Sequence, residues 1–278
     1  MSEPYLGNWN LPLVLLQIVA PFAFGACIGS FLNVCIYRMP LGRSVVHPGS
    51  HCAACGSALP WQVNLPIIGW LRLKGRSACC STKISPRYPV VELLTALLTV
   101  WIWNLYPSLL GLAYLVFTYG LIIATFIDID HFIIPDEISL GGCVAGLILS
   151  GLIPQLQETS NPWQALINSL LGLVFGGGLL LVIALVGSFI LRKEAMGMGD
   201  IKLVAGMGAF LGWQAPLFII AVSSVLGSVI GIGMMIRKQK RWGLKMPFGP
   251  FLAMAAVIWI LGGHVWMARY MAVFDTTP

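Results

Sequence analysis

The sequence predicts an all-α polytopic membrane protein of about eight transmembrane helices, with a small Cys-containing domain between the first and the second. Three observations point there. First, of 278 residues 58% are hydrophobic and only 9% charged, with a mean hydropathy of +0.88. A soluble domain carries roughly a quarter charged residues as its polar coat, so lipid must serve as the solvent here. Second, apolar runs of about 20 residues, the length that crosses a bilayer, recur along the chain. Third, the basic residues cluster in alternate loops between these runs. That is a topology pattern and not a nucleic-acid stripe, so the net charge of +6 does not imply a nucleic-acid partner.

The first run, 12–37, has no Lys or Arg ahead of Arg38. It is too long for a signal-peptide core and reads as a permanent span. Further spans are expected at 89–105, 109–129, 138–154, 166–191, 200–213, 215–236 and 249–270, the second, fourth and sixth being short or broken by glycine. No internal repeat is evident. The segment 38–88 holds Arg38, Arg43, Arg72, Lys74, Arg76, Lys83 and Arg87. Arg192, Lys193 and Lys202 mark the fifth-to-sixth connection, and Arg237, Lys238, Lys240, Arg241 and Lys245 the seventh-to-eighth. Only Arg269, of sixteen basic residues, falls on the other side. The positive-inside rule makes these connections cytoplasmic, with both termini outside. The chain then divides into a first span (1–38), a cytoplasmic loop domain (39–88) and a membrane domain (89–278).

Among ten acids, Asp128 and Asp200 stand out. Asp128 ends an apolar run in FIDIDHFIIPDE, and Asp200 begins another after Gly197-Met198-Gly199. The topology puts both at one membrane face and at similar depth. Ionisable groups in spanning segments are costly and face a protein interior or a water-filled cavity. Two carboxylates brought close share a proton, because both cannot easily ionise. Aspartyl proteolysis needs this: one member takes a proton from water while the other polarises the scissile carbonyl. Gly197 and Gly199 permit close approach and unusual dihedrals before Asp200, so an extended substrate could lie along that backbone. The plainer alternative is capping, with Asp200 as N-cap of the sixth helix and Asp136 of the fourth. Asp130, Asp136, Glu194 and Lys202 sit nearby as candidate supporting residues. HExxH and GxSxG motifs are missing.

Of seven cysteines, Cys27, Cys35 and Cys143 fall in spans and read as small apolar residues. Cys52 and Cys55 form a C-x2-C knuckle, and Cys79 and Cys80 follow as a second cluster. Reduced thiolates in such clusters suit a tetrahedral structural Zn²⁺ that folds a loop with little core. Adjacent cysteines ligate one ion less comfortably. Free thiols, or a ligand drawn from His51, remain the alternatives.

Taken together, GSFLNVCIYRMP (29–40), CAACGSALPWQVNLPIIGWLRLKGRSACCSTKISPRYPVVE (52–92), FIDIDHFIIPDEIS (126–139), MGMGDIKL (196–203) and PFGPFLA (247–253) resemble the type IV prepilin leader peptidases, including those of type II secretion systems. The resemblance implies an eight-span bacterial inner-membrane enzyme of the GxGD aspartyl class. Such enzymes cut a short basic leader after glycine on the cytoplasmic side of prepilins or pseudopilins. Many then N-methylate the new N-terminus with S-adenosylmethionine. The catalytic pair of the family maps onto Asp128 and Asp200. The loop 39–88 becomes the candidate methyltransferase region, although no GxGxxG marks a donor site, and the GLVFGGG glycines (172–178) read as helix packing. One departure stands out. Where the family has a second C-x2-C, its first cysteine is Ser77 here, Cys80 keeps its place and Cys79 is extra. Two readings from other classes compete. An ion-coupled transporter would use the carboxylates as an ion pathway, and a non-catalytic pilus or secretion scaffold would need neither aspartate.

Overall fold

Proline and glycine punctuate the chain, and helices fill the intervals. The computed structural model describes residues 11–52, 54–60, 63–238 and 246–275, so Lys240, Arg241 and Lys245 of the basic loop lie outside the described residues. The chain separates into two compact units: Met1–Cys35 with Ser44–Gly111, and Ile36–Arg43 with Leu112–Pro278.

In the first unit, α1 (Ala20–Arg38) follows a π-turn at Leu15–Val19. A one-turn helix α2 (Ile68–Arg72) interrupts the loop, and α3 (Arg87–Leu105) follows. Polar side chains on these helices are satisfied locally, as an apolar solvent demands. Thr95 Oγ1 donates to the Val91 carbonyl and Thr99 Oγ1 to the Thr95 carbonyl, each at 2.7 Å. Asn33 Nδ2 on α1 donates to the Tyr88 carbonyl at the start of α3, 3.1 Å away.

The second unit holds α4 (Leu109–His131), α5 (Asp136–Leu152), α6 (Pro162–Leu191), α7 (Met198–Leu211), α8 (Gln214–Lys238) and α9 (Gly249–Ile258). A π-segment at Trp259–Gly263 joins α9 to α10 (His264–Asp275). Asn161 caps α6 by accepting from Trp163 N at 2.9 Å, with Pro162 pre-set for the first turn. His264 packs edge-on to Trp259 and its ring nitrogen reaches the Trp259 carbonyl at 3.1 Å, in keeping with a packing residue.

α7 is the axis of this unit. Nearly every residue from Ile201 to Leu211 is buried, with α5 and α6 packed along it. Gly172 of α6 meets Gly208 of α7 so closely that a Cβ on either would strike the other's carbonyl, so the GLVFGGG run does bring helices together. The last carbonyls of α7, orphaned by helix geometry, are met by buried side chains. Gln157 Nε2 and Ser169 Oγ donate to the Ala209 carbonyl at 2.9 and 2.7 Å.

Among the described residues, six helices are long and apolar enough to cross a membrane: Leu15–Leu41, Arg87–Leu105, Leu109–His131, Pro162–Leu191, Gln214–Ile236 and Gly249–Ala272. The chain is therefore a multi-pass membrane protein. The other two segments expected to span are helical but short, α5 with 17 residues and α7 with 14. At 1.5 Å per residue α7 is about 21 Å long.

Candidate functional site

Asp128 lies in the last turn of α4 and is only 6% exposed. Its Oδ2 accepts from the Gly249 N–H at 2.9 Å, where α9 begins. A Cβ at position 249 would stand 2.8 Å from that oxygen and 3.3 Å from Ile134 Cδ1. Only glycine lets the N–H come so close.

Asp200 is the third residue of α7, half-buried, and Gly197 is the N-cap. The Asp200 carboxylate accepts from the Gly197 backbone N–H, the reach-back half of a capping box. The simple capping alternative is therefore corrected. Asp200 is not the N-cap of its helix, and Asp136 is the first residue of α5 behind Pro135. The expected dihedral freedom is also corrected. Gly197 is extended, at φ −73° and ψ 145°, and neither Gly197 nor Gly199 has positive φ. Gly199 is not an open edge for a substrate, because a Cβ there would meet Ile134 Cβ at 3.1 Å.

Asp128 and Asp200 lie within electrostatic reach of each other. Ile134 is the hub, seated against Gly199, next to Asp200, and against Gly249, which holds Asp128. Of the supporting candidates, Asp136 and Lys202 form an ion pair at 2.7 Å. Asp130 and Glu194 are exposed. Sequence reading missed Gly249 and Ile134. Gly249 lay in PFGPFLA without a role, and Ile134 passed as one more apolar residue among acids.

The cysteines gather in the first unit. The Sγ atoms of Cys52, Cys55, Cys79 and Cys80 all lie within 4.8 Å of one another. Cys52 and Cys80 stand 3.7 Å apart, and Cys55 and Cys79 3.2 Å. A tetrahedral Zn²⁺ with bonds of about 2.3 Å sets its sulfurs about 3.8 Å apart, so the four residues fit a metal. His51 is engaged elsewhere, its Nδ1 lying 2.9 Å from the Gly49 carbonyl.

Two turns build this cluster, and they are copies. Cys52 N donates to Ser57 O and Gly56 N to Cys52 O, at 2.9 and 2.8 Å. Twenty-five residues on, Ser77 N donates to Thr82 O and Ser81 N to Ser77 O, at 2.8 and 2.9 Å. The bridges His51–Ala58 and Arg76–Lys83 close each turn, and the left-handed residue is Gly56 in one and Ser81 in the other, with φ 73° and 55°. This short internal repeat escaped the sequence reading. In it Ser77 occupies the place of Cys52, and Cys80 that of Cys55. Ser77 Oγ lies 3.3 Å from Cys52 Sγ and 3.0 Å from Cys79 Sγ, so Cys79 brings the fourth sulfur that position 77 lacks. The Ser77 hydroxyl, with the Cys55 and Ala54 backbone, pulls the Cys52 thiol down to about 5, which favours the thiolate that binds metal. The Thr82 hydroxyl lowers Cys80. Cys79 is lowered by Ser77, but the Cys55 sulfur and desolvation outweigh this and push it up to about 11.

Family profiles cover both units. The bacterial peptidase A24 N-terminal domain matches residues 23–106, and the type IV leader peptidase family matches 115–232. A relative from Aeromonas salmonicida is 35% identical over 91% of this chain and 93% of its own. The chain belongs to the type IV leader peptidase family. A relative from Pseudomonas aeruginosa is 34% identical over 96% of both chains, and one from Neisseria gonorrhoeae 35% identical over 91% of this chain and 96% of its own. All three carry the name prepilin leader peptidase/N-methyltransferase. No solved structure matches the chain. Membership makes this an aspartic membrane peptidase of the A24 class with a methyltransferase partner activity in its relatives.

Proposed function

We propose that this enzyme removes the basic leader of type IV prepilins or type II secretion pseudopilins, cutting after glycine at the cytoplasmic face of the bacterial inner membrane. It then N-methylates the new N-terminus with S-adenosylmethionine as donor. The observation that carries the peptidase half is the meeting of two carboxyl side chains from different helix ends around Ile134. In this reading Asp128 and Asp200 share one proton. The ionised member takes a proton from water, and the protonated member hydrogen-bonds the scissile carbonyl as negative charge develops on it. The Gly249 N–H occupies Asp128 Oδ2 and so fixes which carboxylate oxygen is left for chemistry.

The pairing also bears on topology. Between Asp128 and Asp200 the chain runs through α5 and the 30-residue α6. If α5 did not cross, α6 would carry Asp200 to the opposite face. The same parity requires α7 to cross before α8 returns the chain to Gly249. We therefore read eight crossings, two of them short, with the loop between α1 and α3 on the cytoplasmic side, as the basic residues suggest. Zn²⁺ on Cys52, Cys55, Cys79 and Cys80 would cross-link the two turns and hold the loop folded. The basic loops would rest on anionic lipid heads, and acids such as Glu194 would meet the basic leader.

Mass spectrometry of a co-expressed prepilin tests the proposal, because mass alone reports the cut, its position and an added methyl group. Wild type should give a mature, methylated N-terminus, whereas Asp128→Asn and Asp200→Asn should leave the leader attached. Processing at a wild-type rate by either variant would sink the assignment.

A further inference from the structure

The helices that meet at the aspartates also wall a second feature of the same unit, a cavity of about 190 Å³ between α4, α5 and α7. On α4, Phe117 and Leu121 of its lining share one helical stripe with Asp128. On α7 the stripe that starts at Gly199 runs through Leu203, Gly206 and Phe210. On α5, Ile138 follows one turn after Ile134. The Phe117 and Phe210 rings stack at 4.6 Å at the end remote from the aspartates, and Val116 and Gly141 stand exposed at the mouth. Among the described residues of the lining, Glu137 alone is charged, and it is exposed at the end nearer the aspartates.

The glycines of this cavity differ in what requires them. Gly206 is needed for packing, because a Cβ there would stand 3.3 Å from the Ser139 carbonyl and 3.4 Å from Cys143 N. At Gly141 and Gly142 a Cβ would meet nothing within 4 Å. Glycine is the poorest residue for a helix interior after proline. Neither helix stability nor packing among the described residues accounts for this pair, but an occupant that enters the cavity does. Small-ligand sites start at roughly 300 Å³, so the volume is sized for a bulky side chain and not for a cofactor. A lipid tail spans about 15 Å, half the hydrocarbon core. From Leu203 to Phe210 the cavity is only about 10 Å long, and a tail would overrun its closed end.

From this geometry we infer that the cavity seats a bulky apolar side chain of the peptide substrate, on the membrane side of the cut, and so sets which bond reaches the aspartates. This site rests on the peptidase reading above and deepens it. The charge of the cavity matches that substrate along its length. Glu137 faces the basic leader at the cytoplasmic end, and the apolar walls lie deeper, where the chain enters lipid. Leu203 and Phe210 stand three and ten residues beyond Asp200 on α7, so the middle of the cavity is about 10 Å below the dyad. At 3.3 Å per residue extended or 1.5 Å helical, the anchor falls about three to seven residues past the cut.

The test uses the wild-type full-length enzyme in detergent and a prepilin carrying photoreactive benzoylphenylalanine, placed in turn at each of these positions. Cleavage and cross-linked peptides are read from the same sample. Cross-links into residues 116–121, 137–145 or 203–210 that unlabelled prepilin competes away are expected. Cleavage without such cross-links overturns the site and leaves the peptidase reading intact, whereas no cleavage by wild type sinks both. Cross-links there that added lipid displaces and prepilin does not would give the cavity to lipid and overturn the proposal. Gly141→Leu fills the cavity without striking a neighbour, and it should raise KM for prepilin about tenfold with kcat within about threefold. Alanine at the anchor position of the substrate should raise KM on wild type by a similar factor, and no further on Gly141→Leu. Additive losses, or a loss in kcat alone, refute the anchor. An unchanged KM with a changed oligomeric mass would assign the cavity to a second copy, which also refutes it. The cross-link map on wild type decides the site even if the variant does not fold.

Discussion

The aspartate site and the cysteine turns place reactive side chains by opposite means. Asp128 and Asp200 stand at helix ends that meet where Ile134 packs against Gly199 of α7 and Gly249 of α9. Nothing there needs a cross-link. The cysteine turns sit in a loop with little core, and a few backbone hydrogen bonds hold each turn. Their four sulfurs converge from the two turns, within 4.8 Å of one another. The contrast teaches that one region should lose its chemistry without losing its fold, whereas the other should lose its fold together with its metal.

The sharpest way to break that contrast is at the dyad. Asp128→Asn and Asp200→Asn should each lower leader cleavage on the order of 10³-fold, while membrane insertion and zinc content stay at wild-type levels. A variant that also lost its zinc would show that the two regions are not independent. Next in size comes Gly249→Val. Its side chain would enter the space of Asp128 Oδ2 and Ile134, and a displacement of about 1 Å costs on the order of 10²-fold in rate. Assayed with a detergent-solubilised prepilin, the loss should fall on kcat and leave KM nearly unchanged.

The metal side gives an intermediate effect. Cys79→Ser should abolish stoichiometric zinc in a metal analysis, and limited proteolysis should then cut between residues 42 and 86. Ser77→Cys in the same chain should bring the metal back, because position 77 lies where Cys52 lies in the first turn. If the double variant stays metal-free, the equivalence of the two turns is wrong. With thiolates as the proposed ligands, bound zinc should be lost as pH falls.

How much of this could be read from the chain depends on the range of the contacts involved. Helices came through well because lipid demands long apolar runs, and all eight expected segments are helical. Six of them are long and apolar enough to stand out as spans, whereas α5 and α7 are too short to declare themselves by length. The two aspartates were legible as costly charges at helix ends. Gly249 and Ile134 were not, since their roles come from contacts across 121 residues and between three helices. Ser77 was seen as a gap in a motif. That the gap is filled by Cys79 depends on a turn geometry that spacing alone does not encode.

The smallest expected effect concerns the one part of the aspartate region that packing does not hold. Lys202 and Asp136 pair at 2.7 Å, but their side chains are 33% and 60% exposed. An exposed pair contributes about 0–1 kcal/mol, and salt screens it further. Lys202 nevertheless stands two residues beyond Asp200, and Asp136 two residues beyond Ile134, so the pair spans the same junction that Ile134 fills. If burial of Ile134 sets the geometry, Lys202→Ala should slow cleavage by no more than about threefold, the kinetic equivalent of under 1 kcal/mol, and raising the salt concentration should erase the difference. Loss of a hundredfold would instead place the junction under electrostatic control, and the distinction between a packed region and a cross-linked one would then no longer hold.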